Sequence, residues 1–288
     1  MEFGPAMNDV SDTAIWVAWY RAEENKRKDA HFTDIYAEKF IGDKGLKIVK
    51  SIKSENMRWV FVARTLSIDN NLLDCLKDNK IDAVLNLGAG FDVRPFRLNL
   101  PQNLTWIDVD LANIIEIKKS VLAGVKPNCT VEYHVLNLEQ HVQRSEFFKK
   151  IAGRFKNIFV ISEGLTPYLN EMEVGTLAKN LSQFPSYQHW TFDYMTIQVL
   201  HDMEIKWGKA LHNCGCPFKF GIPDAHWFEG YGWAHVNTKF TVAESLKQNR
   251  LPPYFQIPFA LISKFSASGR EKINLRGGGV ALMKNKTQ

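Results

Sequence analysis

The strongest constraint on the fold is a regular alternation, in the middle of the chain, between short apolar runs and longer helical patterns. The five apolar runs are Asp82–Gly88, Leu104–Asp110, Val131–Leu136, Asn157–Ser162 and His189–Met195. Helical patterns occupy the intervals near residues 111–124, 140–152 and 170–184. Strands that alternate with helices form parallel sheets whose two faces the helices cover. The sequence therefore predicts an α/β fold built on a mostly parallel sheet.

The residues around this alternation follow different patterns. Apolar residues at helical spacing predict helices over Ala14–Glu24 and Arg58–Asp78. We assign residues 1–55 to an N-terminal helical segment that helps to cover a substrate, and residues 56–288 to the main domain. Residues 196–250 are rich in Trp, His and Gly. We expect them to form an inserted lid.

Two β-like runs occur after the lid segment, at Tyr254–Phe265 and Lys272–Met283. Antiparallel strands need only a short connection, so neighbouring runs of this kind can form a hairpin. We expect this hairpin to complete the sheet, which gives the sheet an antiparallel last strand.

Composition and charge exclude several kinds of protein. The chain has no run of about 18 apolar residues, which a membrane-spanning helix requires. Its net charge of +5 is spread along the sequence, whereas nucleic-acid-binding proteins concentrate basic residues in a patch. The segment MEFGPAM does not read as a secretory signal. The four cysteines form no CxxC pair, so we expect no metal site and a reduced, cytoplasmic protein.

A glycine turn follows the first apolar run. Its sequence is GAGFDV, at residues 88–93, and glycines after a strand let a ligand approach the backbone closely. A dinucleotide fingerprint needs a third glycine where this chain has Val93, so that a pyrophosphate can sit at the helix N-terminus. An acidic and a branched residue at this point suit a cofactor without phosphate. S-adenosylmethionine, an adenosine joined to a sulfonium amino acid, is such a cofactor.

An acidic residue stands where a ribose would be bound. Asp110 ends the second apolar run, about 20 residues after Gly90, which is the spacing at which a carboxylate accepts hydrogen bonds from ribose hydroxyls. The alternative is that Asp108 and Asp110 cap the following helix. The spacing favours ribose binding by Asp110.

Together with these features, the stretch NLGAGFDVRPFRL at residues 86–98 resembles the signature of leucine carboxyl methyltransferases and the related polyketide-type O-methyltransferases. Further landmarks that resemble the family are SDTA at 11–14, YRA at 20–22, ART at 63–65, Asp69, Lys118, and SEGL at 162–165 with Tyr168-Leu169. The resemblance covers residues 11–170. It implies a class I methyltransferase with a Rossmann-like sheet, mostly parallel with an antiparallel last strand, together with helical N-terminal and inserted lid segments.

The resemblance implies cofactor-binding roles for matching residues. Arg64 would bind the carboxylate of S-adenosylmethionine through its guanidinium fork, although it could also be a surface helix residue. Gly88 and Gly90 would pass beneath the methionine portion, and Asp110 would hold the ribose. The family usually has Asp-Leu after its third strand, where the Asp accepts from the adenine amino group. This chain has Asn137-Leu138 there, and an amide oxygen can accept the same bond.

Two residues are candidates for the catalytic pocket. The resemblance implies that Glu163 faces the amino group or sulfonium of the cofactor, where a carboxylate is favoured by the positive charge. Tyr168 would line the methyl-transfer pocket, although a Tyr-Leu pair after a turn can simply pack. Asp92 and Arg94 are expected to pair and fix the glycine loop. The histidines form no metal-binding motif, and if a general base exists, His226 or His235 is the better candidate.

These features predict an S-adenosylmethionine-dependent O-methyltransferase. A carboxylate acceptor needs no general base at neutral pH, whereas a hydroxyl benefits from one. We expect the carboxylate, or a hydroxyl, of a small acid or polyketide-like compound. One alternative is methylation of a protein's C-terminal carboxylate, and another is a non-catalytic S-adenosylmethionine-binding module. A nicotinamide oxidoreductase shares the α/β plan, but the missing third glycine argues against it.

Overall fold

One sheet of seven strands lies at the centre of the described part of the chain. The computed structural model describes residues 11–52, 55–213, 215–252, 269 and 277–287. The strands are β1 (Ala83–Leu87), β2 (Thr105–Asp110), β3 (Thr130–Val135), β4 (Ile158–Ser162), β5 (Tyr187–Tyr194), β6 (Trp233–Phe240) and β7 (Gly279–Asn285). Their order across the sheet is β3-β2-β1-β4-β5-β7-β6. In this described sheet β7 pairs antiparallel with both β5 and β6, and the other pairs are parallel, so the predicted fold class is confirmed.

Helices connect the strands and cover the sheet. They are α1 (Ser11–Asn25), α2 (Ala37–Ile52), α3 (Arg58–Asp78), α4 (Arg94–Arg97), α5 (Ala112–Val121), α6 (His141–Arg154), α7 (Glu171–Ser182), α8 (Ile197–Asn213) and α9 (Thr241–Lys247). Short 3-10 turns occupy Glu55–Met57, Thr166–Tyr168 and Ala225–Tyr231. No helix in the described ranges has both the length and the apolar character needed to cross a membrane.

The central strands are buried on both faces, which explains their continuous apolar sequences. All residues of β1 and β4 are buried. Successive side chains of a strand point to opposite faces, and Leu85 and Val84 accordingly join different apolar clusters. Because parallel strands end at the same edge of the sheet, the turns after β1, β2 and β4 meet there. This edge carries the polar residues that the sequence predicts to be functional.

The partner of the last strand differs from the prediction. The run Lys272–Met283 overlaps β7, but β7 pairs with β6, which comes from the stretch predicted to be a lid. Residues 254–265, the other half of the predicted hairpin, lie outside the described residues. The sequence of β6, WAHVNTKF, is half-buried and contains polar residues throughout. An edge strand with so weak an apolar alternation is hard to distinguish from a loop.

The N-terminal helices pack over the carboxyl edge of the sheet. Phe40 of α2 stacks on Phe91 of the glycine turn, with the ring centroids 4.5 Å apart. Arg21 of α1 donates to the carbonyl oxygen of Phe91 at 2.6 Å and pairs with Asp34 at 2.8 Å. Helices α1, α2 and α8 share one apolar cluster that is separate from the two clusters on the sheet. The N-terminal segment therefore lies directly above the predicted site.

Candidate cofactor and acceptor site

A cavity of about 530 Å³ opens at the carboxyl edge of the sheet, beneath the N-terminal helices. Every site residue predicted from the sequence lines it: Arg64, Gly88, Gly90, Asp110, Asn137, Leu138, Glu163 and Tyr168. These residues come from α3 and from the ends of β1, β2, β3 and β4. The fold thus brings together side chains that are up to about 100 positions apart in sequence.

The glycine turn after β1 depends on backbone angles that glycine adopts readily. Gly88 has φ 65° and Gly90 has φ 46°, a region that costs other residues free energy. A Cβ on Gly88 would lie 3.2 Å from Cδ1 of Leu165. The turn also joins β2, because the N–H of Gly88 donates to the carbonyl oxygen of Val109 at 2.9 Å. The result is a smooth backbone surface at the floor of the cavity.

Asp110 connects the end of β2 to this turn. One carboxylate oxygen accepts from the N–H of Gly90 and the other from the N–H of Leu111, both at 2.7 Å. Burial raises the pKa of Asp110 above its usual value. Each oxygen retains a further lone pair, so the carboxylate can still accept from ligand hydroxyls. No side chain caps α5 at Leu111, so the capping alternative fails for this residue.

Asp108, two residues earlier, has a different environment. It is fully buried and pairs with the equally buried Lys118 at 2.6 Å. Its other oxygen accepts from Nε1 of Trp106 and Nδ2 of Asn86, both at 2.9 Å. The sequence-based alternative that Asp108 caps a helix is therefore wrong. It is a structural carboxylate beneath the site.

Glu163 is held between two arginines at the end of β4. Its Oε1 lies 3.0 Å from Nε of Arg64, and its Oε2 lies 2.7 Å from Nη1 of Arg94. Burial by itself would raise the pKa of Glu163, but the guanidinium groups of Arg94 and Arg64 lower it to about 2. Glu163 is therefore a fixed anion near neutral pH. A carboxylate with so low a pKa is a weak proton acceptor.

Arg64 lies inside the site rather than on a helix surface. Its side chain is only 12% exposed, and it bonds both Glu163 and Asp193. Because Nε and Nη1 make these bonds, Nη2 is the guanidinium nitrogen with no hydrogen-bond partner among the described residues. Arg64 lines the cavity. This nitrogen can therefore meet an anionic group of a ligand.

Asp193, at the end of β5, was missed by sequence analysis. Its Oδ2 pairs with Nη1 of Arg64 at 3.1 Å, and its Oδ1 accepts from the N–H of Gly164 at 2.6 Å. The sequence did contain a signal for a site residue here, since an acidic residue follows apolar residues in the fifth run, HWTFDYM. A charge at that point needs a partner, but the sequence alone did not identify Arg64 as that partner.

The expected pairing of Asp92 with Arg94 is confirmed at 2.7 Å. Arg94 is 1% exposed and also pairs with Asp69 of α3 at 2.6 Å. Asp69 in turn pairs with Arg97 at 2.7 Å. This network ties the glycine loop to α3 and keeps Arg94 in contact with Glu163. Asp92 and Arg94 thus both belong to the ion-pair network that holds the glycine loop and Glu163 in place.

A group of apolar side chains, most of them aromatic, also lines the cavity. This group includes Trp16, Met57, Trp59, Phe61, Tyr168, Val199, Met203, Trp207 and Phe218. The ring centroids of Trp16 and Trp207 are 5.3 Å apart, and those of Tyr168 and Phe218 are 5.4 Å apart. These residues come from α1, α3, α8, the 3-10 turns at Glu55–Met57 and Thr166–Tyr168, and the loop after α8. We call this part of the cavity the aromatic wall.

The histidines do not lie where a base would be needed. No histidine is among the described residues that line the cavity. His226 pairs with Glu229 at 2.9 Å, and its ring lies 4.4 Å from that of His235, on β6. The suggestion that one of these two residues could be the base is therefore wrong. The two histidines were chosen because aromatic residues surround them in the sequence. The stretch that contains them folds onto the β6 edge of the sheet and not onto the cavity.

Comparison with known proteins gives the family of this site. The family model described as leucine carboxyl methyltransferase matches residues 14–182, more than half of the 288 residues. This chain belongs to the leucine carboxyl methyltransferase family. It is 33% identical, over 85% of its length and 90% of the relative's, to a Frankia alni protein named as an S-adenosyl-L-methionine-dependent methyltransferase. Members of this family use S-adenosylmethionine, which is therefore the cofactor of this methyltransferase.

Other relatives match less completely. The tetracenomycin polyketide synthesis O-methyltransferase TcmP of Streptomyces glaucescens is 27% identical, and the match spans about half of each protein, 48% of both. A crystal structure of a DUF574 family protein from Streptomyces avermitilis has a TM-score of 0.60 at 11% identity, with 98% of each chain covered. At this identity, the similarity to the crystal structure shows the fold alone.

The charged residues at the strand ends and on α3, which we call the charged end of the cavity, fit the family's cofactor. S-adenosylmethionine carries an ammonium, a sulfonium, a carboxylate and ribose hydroxyls. The cavity offers the carboxylates Glu163, Asp193 and Asp110, the Nη2 of Arg64, and the glycines Gly88 and Gly90, which have no Cβ. The lining thus contains charges opposite to those of the cofactor.

Proposed function

We propose that this methyltransferase transfers the methyl group of S-adenosylmethionine to a carboxylate oxygen of a small organic acid. The observation that carries the proposal is the lining of the cavity, which combines charged residues at the strand ends with the aromatic wall. Cavities that bind small molecules are mostly apolar and contain a few convergent polar groups. The wall suits the apolar body of an acceptor whose carboxylate points towards the charged end.

The residues at the charged end have separate binding roles in this proposal. Asp110 holds the ribose hydroxyls, and Asn137 and Leu138 contact the adenine. Arg64 binds the carboxylate of the cofactor through Nη2, while Glu163 faces its positive charge. The sulfonium supplies an activated methyl group when the cofactor is bound. The protein then needs mainly to orient the acceptor and exclude water.

Two of the titratable groups that line the cavity, Glu163 and Tyr194, are poor proton acceptors, which favours a carboxylate acceptor. Glu163, with a pKa of about 2, stays ionised, and burial raises the pKa of Tyr194 to about 12. Neither group readily takes a proton near pH 7. A carboxylic acid has already lost its proton at that pH, whereas an alcohol or phenol retains one. Tyr168, beside Phe218, lines the methyl-transfer pocket in this proposal.

The segments outside the sheet complete the acceptor pocket. Trp16 and Trp207 lie on α1 and α8, which belong to the N-terminal segment and to the start of residues 196–250. We assign both segments a lid role, because their side chains supply much of the aromatic wall. Acceptor choice then depends on these helices rather than on the strand ends.

Labelled S-adenosylmethionine with matched panels of acceptors tests the proposal. Each panel pairs an aromatic carboxylic acid with the corresponding phenol or benzyl alcohol, and peptides with free or amidated C-termini form a third arm. We expect base-labile methyl esters on the small acids. Methylation of the hydroxyl compounds alone would contradict the proposal. Methylation of free peptide C-termini alone would favour the protein carboxyl methyltransferase, which the name of the family makes the second candidate.

A further inference from the structure

Arg144 of α6 is a fully buried arginine that bonds only neutral groups. Among the four arginines that are buried in the described ranges, Arg21, Arg94 and Arg250 each pair with a carboxylate, and Arg144 does not. Its Nε has no hydrogen-bond partner among the described residues. Burial lowers the pKa of its guanidinium, and the charge of Glu173 only partly offsets this. A buried charge without an ion-pair partner is costly. Packing alone therefore does not account for this residue.

The hydrogen bonds of Arg144 join the loop after β3 to helices α6 and α7. Its Nη1 donates to the carbonyl oxygen of Leu138 at 2.7 Å. Its Nη2 donates to Oδ1 of Asn180, on α7, at 3.1 Å and contacts Nδ1 of His141 at 3.0 Å. Arg144 thus fixes the loop that carries Leu138 against two helices.

The same peptide group is also held from its other side. The carbonyl of Leu138 and the N–H of Glu139 belong to one planar trans peptide, so they point in opposite directions. That N–H donates to Oδ1 of Asn137 at 3.0 Å. A rotation of the peptide would break both bonds. A flip of the Asn137 amide would replace the acceptor oxygen by a donor and lose the second bond.

We propose that Arg144 is a positioning residue for adenine recognition. By holding the Leu138–Glu139 peptide, it keeps Oδ1 of Asn137 in the orientation that accepts a hydrogen bond from the adenine amino group. The proposal rests on the adenine contact that is assigned to Asn137 in the proposed function. It explains why a buried arginine without an ion pair stands behind this loop.

The test measures selectivity for the amino group rather than affinity alone. Dissociation constants are determined by calorimetry for S-adenosylhomocysteine and for its 6-desamino analogue, which lacks only that group. We expect the native chain to prefer S-adenosylhomocysteine by about five- to tenfold, as for one buried hydrogen bond. Both constants come from the same preparation, so a partly unfolded fraction cancels from their ratio.

Four variants make the test specific. Asn137→Ala and Arg144→Met are expected to lower the preference to about one, and Arg144→Lys, which keeps the charge but not the planar fork, is expected to give an intermediate value. Arg154→Met is the control, because Arg154 lies on the same helix and pairs with Glu132 in a more exposed setting. It should keep the native preference.

The possible failures are distinguishable. If the Arg144 variants retain the preference while Asn137→Ala loses it, the positioning role is overturned. If Asn137→Ala also retains the preference, the adenine contact itself is wrong, and the inference about Arg144 fails with it. If the native chain binds neither compound, the failure lies in the proposed function.

Discussion

The two ends of the cavity are built in different ways. At the charged end, side chains project from strand termini and are fixed by ion pairs, such as Glu163 with Arg64 and Arg94. At the aromatic wall, side chains such as Trp16 and Trp207 project from helices outside the sheet and contact one another through their rings. Ion pairs and strand ends tolerate little displacement, whereas apolar contacts accept many shapes. The comparison suggests that cofactor binding is rigidly specified and that acceptor choice is more readily changed.

The largest expected effect comes from blocking the floor of the charged end. Gly90→Arg forces a non-glycine residue into φ 46° and adds a bulky cation where the cofactor would lie. We expect binding of S-adenosylhomocysteine to weaken by at least about 100-fold, since one buried unpaired charge costs several kcal/mol. Calorimetric titration measures this loss, and methyl transfer should disappear with it.

Gly124→Arg is the matched control for that variant. Gly124 also has positive φ, at 76°, but open space surrounds it away from the cavity. Backbone strain is therefore similar in the two variants, and only Gly90→Arg obstructs the site. Equal losses of binding in both would mean that strain, rather than obstruction, causes the effect.

The next largest effect is on the free energy of unfolding, to which the ion pairs of Glu163 contribute. Because the folded-state pKa of Glu163, about 2, lies below its ordinary value of 4.5, its contribution to stability is present above pH 4.5. It is lost as the pH falls from 4.5 to 2. The contribution is about 3 kcal/mol from the size of this shift. Urea unfolding of Glu163→Gln should show a deficit of this order at pH 7 that shrinks towards pH 3.

Glu132→Gln gives the comparison for an ion pair outside the site. Glu132 pairs with Arg154 at 2.6 Å, but the two side chains are 27% and 38% exposed. We expect a loss of at most about 1 kcal/mol, since solvent screens such pairs. If both variants lost the same free energy of unfolding, burial would not distinguish the ion pairs of the site.

A smaller effect on cofactor affinity is expected from a change at Asp110, the residue proposed to bind the ribose. Asp110→Asn replaces one acceptor oxygen by an amide nitrogen, which cannot accept from the N–H of Gly90 or Leu111. We expect the affinity for S-adenosylhomocysteine to fall about tenfold, as for the loss of a charge-assisted hydrogen bond. Calorimetry measures the change. Asp74→Asn, at an exposed position on α3, is the control, and an unchanged affinity in Asp110→Asn would contradict ribose binding by this residue.

The same contrast explains what the sequence could predict. The five central apolar runs, the glycine turn and Asp110 are local signals. The five runs overlap β1 to β5, and the turn and Asp110 line the cavity at the carboxyl edge of the sheet. The network around Arg64 depends on residues far apart in the chain, such as Asp193, so that partner was missed. The edge strand β6 has only a weak apolar alternation, and it was assigned to a lid. The wall residue Trp207 lies in the Trp-rich stretch assigned to the lid, but its place in the cavity depends on helix packing, which the sequence alone does not give.

The smallest expected effect concerns the aromatic wall. Phe218→Leu removes a ring that packs against Tyr168, with 5.4 Å between centroids, while leaving an apolar side chain of similar character. We expect the KM for an acidic acceptor to rise about three- to tenfold, which corresponds to about 1 kcal/mol of aromatic contact. The affinity for S-adenosylhomocysteine should change by less than about twofold, because Phe218 is outside the set of charged residues proposed to bind the cofactor.

Phe184→Leu is the control, because Phe184 is also partly buried but packs against the sheet cluster rather than the cavity. It should leave the KM for the acceptor unchanged. A loss of S-adenosylhomocysteine binding in Phe218→Leu would mean that the two ends of the cavity are coupled. Acceptor choice could not then be altered at the wall without disturbing the cofactor, and the division between a rigid charged end and an adaptable aromatic wall would be wrong.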